Sequence, residues 1–118
     1  MPKRKTILCV DDDPVLLYSQ QALLGHQFDI ISAENGMSGL KALETNDPDL
    51  ILVDYNMPDL NAVEFIRAGN RIHPGLKYLL LSGTKFDKID WQSLHPLGVI
   101  GFLKKPFEPA EILTLLPG

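Results

Sequence analysis

Four short stretches of the chain hold side chains that could do chemistry together. They are the carboxylates of Asp11-Asp12-Asp13, the carboxylate of Asp54 in Leu-Ile-Leu-Val-Asp-Tyr-Asn-Met-Pro (50–58), the hydroxyl of Ser82 in Ser-Gly-Thr, and the ammonium of Lys105 in Lys-Lys-Pro. Carboxylates brought together repel, so a site built from them either raises a pKa or holds a cation. Hard oxygen ligands with room for water favour Mg²⁺ or Mn²⁺, held by a few carboxylates and by phosphoryl oxygens. A hydroxyl, open backbone amides and a lysine beside such acids fit phosphoryl transfer, where catalysis is mainly positioning and charge neutralisation. Taken singly, each stretch has a plainer reading. Asp11 to Asp13 could be helix N-terminal charges, Asp54 a loop cap, Ser82 a loop hydroxyl and Lys105 a solvated lysine.

The elements around them decide between these readings. Leu50 to Val53 is an apolar run without polar alternation, which suits a strand buried on both faces of a parallel sheet and ending at Asp54. Pro58 then ends pairing and keeps 55–58 as a defined loop, leaving backbone carbonyls near Asn56 free to face a ligand. Thr6 to Val10 reads as a first strand, followed by a helix begun at Asp11-Asp12-Asp13-Pro14, striped by Val15, Leu16, Ala22 and Leu23, and stopped near Gly25. Phe28 to Ala33 is a second strand. Asn35-Gly36 turns into a helix with Met37, Leu40, Ala42 and Leu43 on one face, closed by Asn46-Asp47-Pro48. A third helix starts at about Val63, with Phe65, Ile66 and Ile72 on its apolar side, and ends at His73-Pro74-Gly75. Tyr78 to Leu81 is the fourth strand, Asp87 to Leu94 a short helix, Val99 to Leu103 the fifth strand and Pro109 to Leu116 the last helix.

Strands alternating with helices imply right-handed parallel crossovers and a three-layer α/β sandwich. For five such units the flavodoxin-like, doubly wound order 2-1-3-4-5 is the natural choice, with its switch point between strands one and three. Those strands end at Asp11-Asp12 and at Asp54, and strands four and five end at Ser82 and Lys105. One crevice therefore collects all four stretches.

At 118 residues the chain reads as one domain, 1–118, able to bury a core without staples. Cys9 is the only cysteine and lies in Ile-Leu-Cys-Val, which marks it as a core residue and points to a cytoplasmic setting. No apolar stretch is long enough to span a bilayer. A net charge of −4, with no basic cluster beyond Lys3-Arg4-Lys5, argues against direct nucleic-acid binding. His26, His73 and His95 share no metal-ligand spacing and read as surface residues, and Trp91 as a packing residue of the fourth helix.

The chain resembles the receiver domains of two-component response regulators, the group that includes the chemotaxis regulator. The resemblance covers nearly the whole chain. It rests on Val10-Asp11-Asp12-Asp13-Pro14, Val53-Asp54-Tyr55-Asn56-Met57-Pro58, Leu81-Ser82-Gly83 and Phe102-Leu103-Lys104-Lys105-Pro106-Phe107, in family order. It implies that Asp54 is the phosphoacceptor, Asp12 a direct Mg²⁺ ligand, Asp11 a ligand through water and Asn56 a ligand through its carbonyl. Ser82 and Lys105 would hold phosphoryl oxygens, Phe102 would be the aromatic switch, and Lys105-Pro106 a cis bond. The implied donor is a phosphohistidine on a sensor histidine kinase or phosphotransfer protein, and the domain itself supplies the groups that catalyse the transfer. The implied output is an appended domain, a separate downstream protein or a phosphorylation-dependent homodimer, met through the face of the fourth helix, fifth strand and fifth helix. The chain would then be a piece of a longer regulator or a single-domain protein.

Three rivals stand beside this reading. A haloacid dehalogenase-like phosphatase would use Asp11-Asp12-Asp13-Pro14-Val15 as its Asp-x-Asp signature, but needs an acidic metal loop after the lysine, where only Glu108 and Glu111 remain. A flavodoxin-like flavin binder would have to seat its phosphate against an acidic loop. A receiver-like interaction module that is never phosphorylated would have little use for the intact acid, hydroxyl and lysine set.

Overall fold

The computed structural model describes residues 4–83, 91–105 and 107–115. Strands β1 (Thr6–Val10), β2 (Asp29–Ala33), β3 (Leu50–Asp54), β4 (Tyr78–Ser82) and β5 (Val99–Lys104) alternate with helices α1 (Pro14–Leu24), α2 (Gly36–Thr45), α3 (Ala62–Ile72), α4 (Trp91–Leu94) and α5 (Pro109–Leu115). A 3₁₀ turn, His95–Leu97, follows α4. All strand pairs are parallel, in the order β2-β1-β3-β4-β5. This is the flavodoxin-like sheet that the apolar runs predict, and β4 and β5 each run one residue further, to Ser82 and Lys104.

Strand side chains alternate between the two faces, so each strand feeds two cores. Leu8, Val10, Ile51, Val53 and Leu80 join Leu43 of α2 and Phe65 and Ile66 of α3 on one side. Ile7, Cys9, Leu50, Leu52, Leu79 and Leu81 join Leu17 and Leu24 of α1 and Ile112 of α5 on the other. The fully buried β3 lies between them. Gly98 turns the chain into β5 with φ +108, and a Cβ there would lie 2.4 Å from the Leu76 carbonyl oxygen, so only glycine suits both demands.

Helix phases depart from the sequence pattern. In α1 the inward residues are Leu17, Gln20 and Leu24, whereas Val15 is 72% exposed and Leu23 49%. Three adjacent apolar residues, Val15-Leu16-Leu17, fit several phases, and the phase adopted is hidden because its middle position is the polar Gln20. In α2, Gly36, Gly39 and Leu43 are buried and Met37 faces solvent. Gly39 takes the inward position because a Cβ there would press on Phe65 and Val10 at 2.8–3.0 Å. Ile72 is likewise exposed at the end of α3. Of the short helix read over Asp87–Leu94, α4 is the part among the described residues, and the Lys105–Pro106 bond lies outside them.

Gln20 has a thermodynamic consequence. Both atoms of its amide are buried with no hydrogen-bond partner among the described residues. An unsatisfied buried amide typically costs about 1–3 kcal/mol. Gln20→Met, of nearly equal length, is therefore expected to stabilise the fold by about 1 kcal/mol in urea denaturation. An unchanged or lowered midpoint would show that the amide is satisfied in solution.

Candidate functional site at the carboxyl end of the sheet

Strand register puts the reactive groups at one level. Val10 pairs with Val53, so Asp11 and Asp54 leave adjacent strands side by side. Asp54 pairs with Leu81, and Ser82 pairs with Lys104, the residue before Lys105. Backbone bonds extend the ladder into the loops: Tyr55 N–H donates to Leu81 O at 2.8 Å and Lys105 N–H to Ser82 O at 2.8 Å. The site is thus carried on the sheet, which limits its freedom to relax.

Local chemistry orients each acid. Asp13, the α1 N-cap, accepts from Val15 N–H at 3.0 Å. Asp11 turns inward, is fully buried and accepts from Asp13 N–H at 3.0 Å. Asp54 is 7% exposed and accepts from Asn56 N–H at 3.3 Å, whereas Asp12 is open to solvent. Oxygens of Asp11, Asp12 and Asp54 lie within 4.8 Å of one another. Lys105 Nζ reaches them from the far side, 2.6 Å from Asp11 Oδ2 and 3.5 Å from Asp54 Oδ1.

Three carboxylates and one ammonium leave the crevice with an excess of two negative charges. Burial raises the Asp54 pKa; Lys105 acts against that, and Asp11 and Asp12 reinforce it. Two buried carboxylates and a third open to water are the hard oxygen donors that a hexacoordinate, partly hydrated divalent cation takes. The residues present therefore fit Mg²⁺.

Of the sequence-predicted residues, Asp11, Asp12 and Asp54 cluster, Lys105 contacts Asp11 and Asp54, and Asn56 meets Asp54 through its backbone N–H. Ser82 is buried at the end of β4, beside the Asp54 strand. Phe102 lies opposite Leu80 in the β4–β5 ladder, so it and Ser82 are diagonal neighbours on one face. Its half-buried ring meets Trp91 edge-on at a centroid distance of 5.1 Å, and Trp91 in turn touches His95 at 5.0 Å. The histidines stay outside the crevice: His26 and His95 are exposed, and His73 pairs with Asp47 at 3.7 Å. Burial, then Asp11, pushes the Cys9 thiol up to about 12, which suppresses the thiolate.

Sequence reasoning missed Asp59, whose carboxylate accepts from Leu60 N–H in its own loop and also reaches across to cap α2. The only local hint was a Gly at the first position of that helix, where close approach by another segment is possible. Nor does the dehalogenase reading gain a second metal loop, since Glu111 bonds back to the Glu108 N–H at the start of α5. Among the described residues no helix is long and apolar enough to cross a membrane.

Comparison with known proteins agrees with this geometry. The chain is 32% identical over 114 residues to the nitrate/nitrite response regulator protein NarL of Escherichia coli (strain K12), covering 94% of the chain and 52% of that protein. It is 32% identical over 111 residues to the alkaline phosphatase synthesis transcriptional regulatory protein PhoP of Bacillus subtilis (strain 168), covering 92% of the chain and 45% of that protein. The chain thus spans about half the length of these relatives. The crystal structure of a CheY-like response regulator receiver domain protein from Methanospirillum hungatei JF-1 superposes with a TM-score of 0.81 at 26% identity, covering 95% of this chain and 90% of that one. Residues 7–117 match the family described as "Response regulator receiver domain", and with the sheet order and the acidic crevice in place, the chain belongs to that family of two-component signalling domains.

Proposed function

We propose that Asp54 is the phosphoacceptor and that phosphorylation there controls the outer face of α4, β5 and α5. The observation that carries this reading is a nearly buried carboxylate at the end of the central strand, with an ammonium 3.5 Å away and two further carboxylates within 4.8 Å. A carboxylate oxygen of Asp54 attacks the phosphorus of a phosphohistidine. The P–N bond breaks, and its electron pair stays on the imidazole nitrogen. Asp11, Asp12, Asp54 and the Asn56 carbonyl would hold Mg²⁺, which when bound offsets the charge of carboxylates and phosphoryl oxygens. Lys105 and the Ser82 hydroxyl neutralise and orient the phosphoryl oxygens.

The donor is a sensor histidine kinase or a histidine phosphotransfer protein, which implies a cytoplasmic setting. The exposed Val15 and Tyr18, on the helix that begins just past the carboxylates, offer it an apolar footing. Mg²⁺-dependent uptake of one phosphoryl group from acetyl phosphate, read by intact-protein mass spectrometry, tests the reading. A wild-type protein that gains no such mass with Mg²⁺ present, yet folds normally, would overturn it in favour of an unphosphorylated interaction module.

Signal output follows from the diagonal of Ser82 and Phe102. Phosphoryl oxygens on Asp54 give the Ser82 hydroxyl a charge-assisted acceptor, and its movement frees volume into which Phe102 turns. That turn leaves the edge-on contact with Trp91, the only tryptophan. Phosphorylation is therefore expected to shift Trp91 emission, whereas Ser82→Ala still takes up phosphate but loses most of the shift. A full shift in phosphorylated Ser82→Ala would break this coupling. The same α4, β5 and α5 face serves an output domain, a separate target or a phosphorylation-dependent homodimer.

A further inference from the structure

The first N–H groups of a helix have no intrahelical partners, and those of α2 are divided between two loops. The side chain of Asn35, the N-cap, takes the Ser38 N–H at 2.8 Å. The two outermost donors go elsewhere: Gly36 N–H donates to Asp59 Oδ1 at 3.0 Å and Met37 N–H to Asp59 Oδ2 at 2.9 Å. Asp59 belongs to the segment between β3 and α3, residues 55–61, which also contains Asn56. An anion there faces the positive end of the α2 dipole. Desolvation would raise the Asp59 carboxyl, but the N–H groups of Met37, Gly36 and Leu60 outweigh it and hold the group below the ordinary aspartate range.

A second contact fixes the same segment. A Cβ on Gly36 would lie 2.8 Å from Leu60 Cδ1 and 2.9 Å from Leu60 Cβ, so the loop lies directly on the glycine. The near half of the loop is held by buried Met57 and by the Asn56 N–H on Asp54. The far half is held by the carboxylate bridge and the Leu60 contact.

We propose that Asp59 is a positioning residue: by bridging to the first turn of α2 it holds the β3–α3 loop at the height where the Asn56 carbonyl completes the cation site. This rests on the reading of Asp11, Asp12, Asp54 and Asn56 as the metal-binding set. Asp59 touches neither the metal nor the phosphoryl group. It acts through the loop, and α2 becomes part of the site's support.

Calorimetric titration of metal-free protein with Mg²⁺ alone tests the proposal. Supporting groups of this kind typically alter metal affinity by about 10–100-fold, and Asp59→Ala is expected at the lower end, about tenfold weaker. Its phosphorylation rate at saturating Mg²⁺ should match wild type. Asp59→Asn keeps an acceptor oxygen and should lose less. Gly36→Ala leaves the carboxylate in place but pushes on Leu60, and should weaken Mg²⁺ as well. Wild-type Mg²⁺ affinity in both Asp59→Ala and Gly36→Ala, even with a lowered melting temperature, would reduce Asp59 to a helix cap and overturn the proposal. Equal losses in Asp59→Asn and Asp59→Ala, with Gly36→Ala at wild-type affinity, would mark a through-space charge effect and overturn it too. Failure of wild type itself to bind Mg²⁺ would instead remove the metal-binding set, and this proposal with it.

Discussion

Lys105→Met is expected to destabilise the metal-free protein more than any other change in the crevice, by about 3 kcal/mol, because breaking a buried ion pair strands its partner. Asp11 is fully buried and its Oδ2 lies 2.6 Å from Lys105 Nζ. Without the ammonium, three carboxylate oxygens within 4.8 Å have no cation to share. Methionine replaces most of the aliphatic stem, so the loss reports the charge rather than packing. Mg²⁺ should return more stability to this variant than to wild type, because it takes over neutralisation that lysine otherwise supplies. Urea denaturation with chelator and with Mg²⁺ measures both effects. Equal metal-free stability of variant and wild type would mean that the ammonium does not hold the acids together.

Asp54→Asn should act in the opposite direction, raising metal-free stability at neutral pH by about 1 kcal/mol, or roughly 4 °C in Tm. Burial first, then the neighbouring carboxylates, raise the Asp54 pKa against the pull of Lys105. A carboxyl whose pKa is raised on folding favours the folded state while protonated. That contribution is lost as pH climbs through the folded-state pKa, where the unfolded state has already released its proton. The advantage of Asn over Asp should therefore widen as pH rises from the ordinary aspartate range to the raised folded-state pKa, level off above it and vanish below the ordinary range. Mg²⁺ reverses the order, since at a hundredfold excess over Kd a ligand adds about 2.7 kcal/mol and Asn is the poorer ligand. Thermal melts across pH, with and without Mg²⁺, would contradict this if Asp54→Asn melted below wild type in chelator at neutral pH.

Strands were easier to read from this sequence than helix faces. Parallel strands buried on both sides are uninterrupted apolar runs, so Leu50–Val53 and Tyr78–Leu81 announce themselves, and their order follows from connection handedness. The crevice followed because its acids, hydroxyl and lysine sit at strand ends, where chain order alone brings them together. Helix phase depends on a stripe that a single residue can blur. Gln20 at an inward position hid the face of α1, whereas in α2 only Met37 departs from the expected face, since Leu43 is buried and Leu40 and Ala42 pack on the core. Asp59 left almost no trace, because its bonds to Gly36 and Met37 span 23 and 22 residues, whereas capping patterns are read three residues apart. The edge-on contact of Trp91 with Phe102 joins α4 to β5 across the Pro96 turn, and no local periodicity encodes it.

Locating the phosphoryl group tests the central claim most directly. Wild-type protein is incubated with acetyl phosphate and Mg²⁺, reduced with borohydride so that an acyl phosphate becomes an alcohol, digested and sequenced by mass spectrometry. Conversion of residue 54 alone to homoserine is the predicted result, with none in chelator. Homoserine at Asp11 or Asp12 with Asp54 unmodified, or undiminished labelling of Asp54→Asn, would contradict the account.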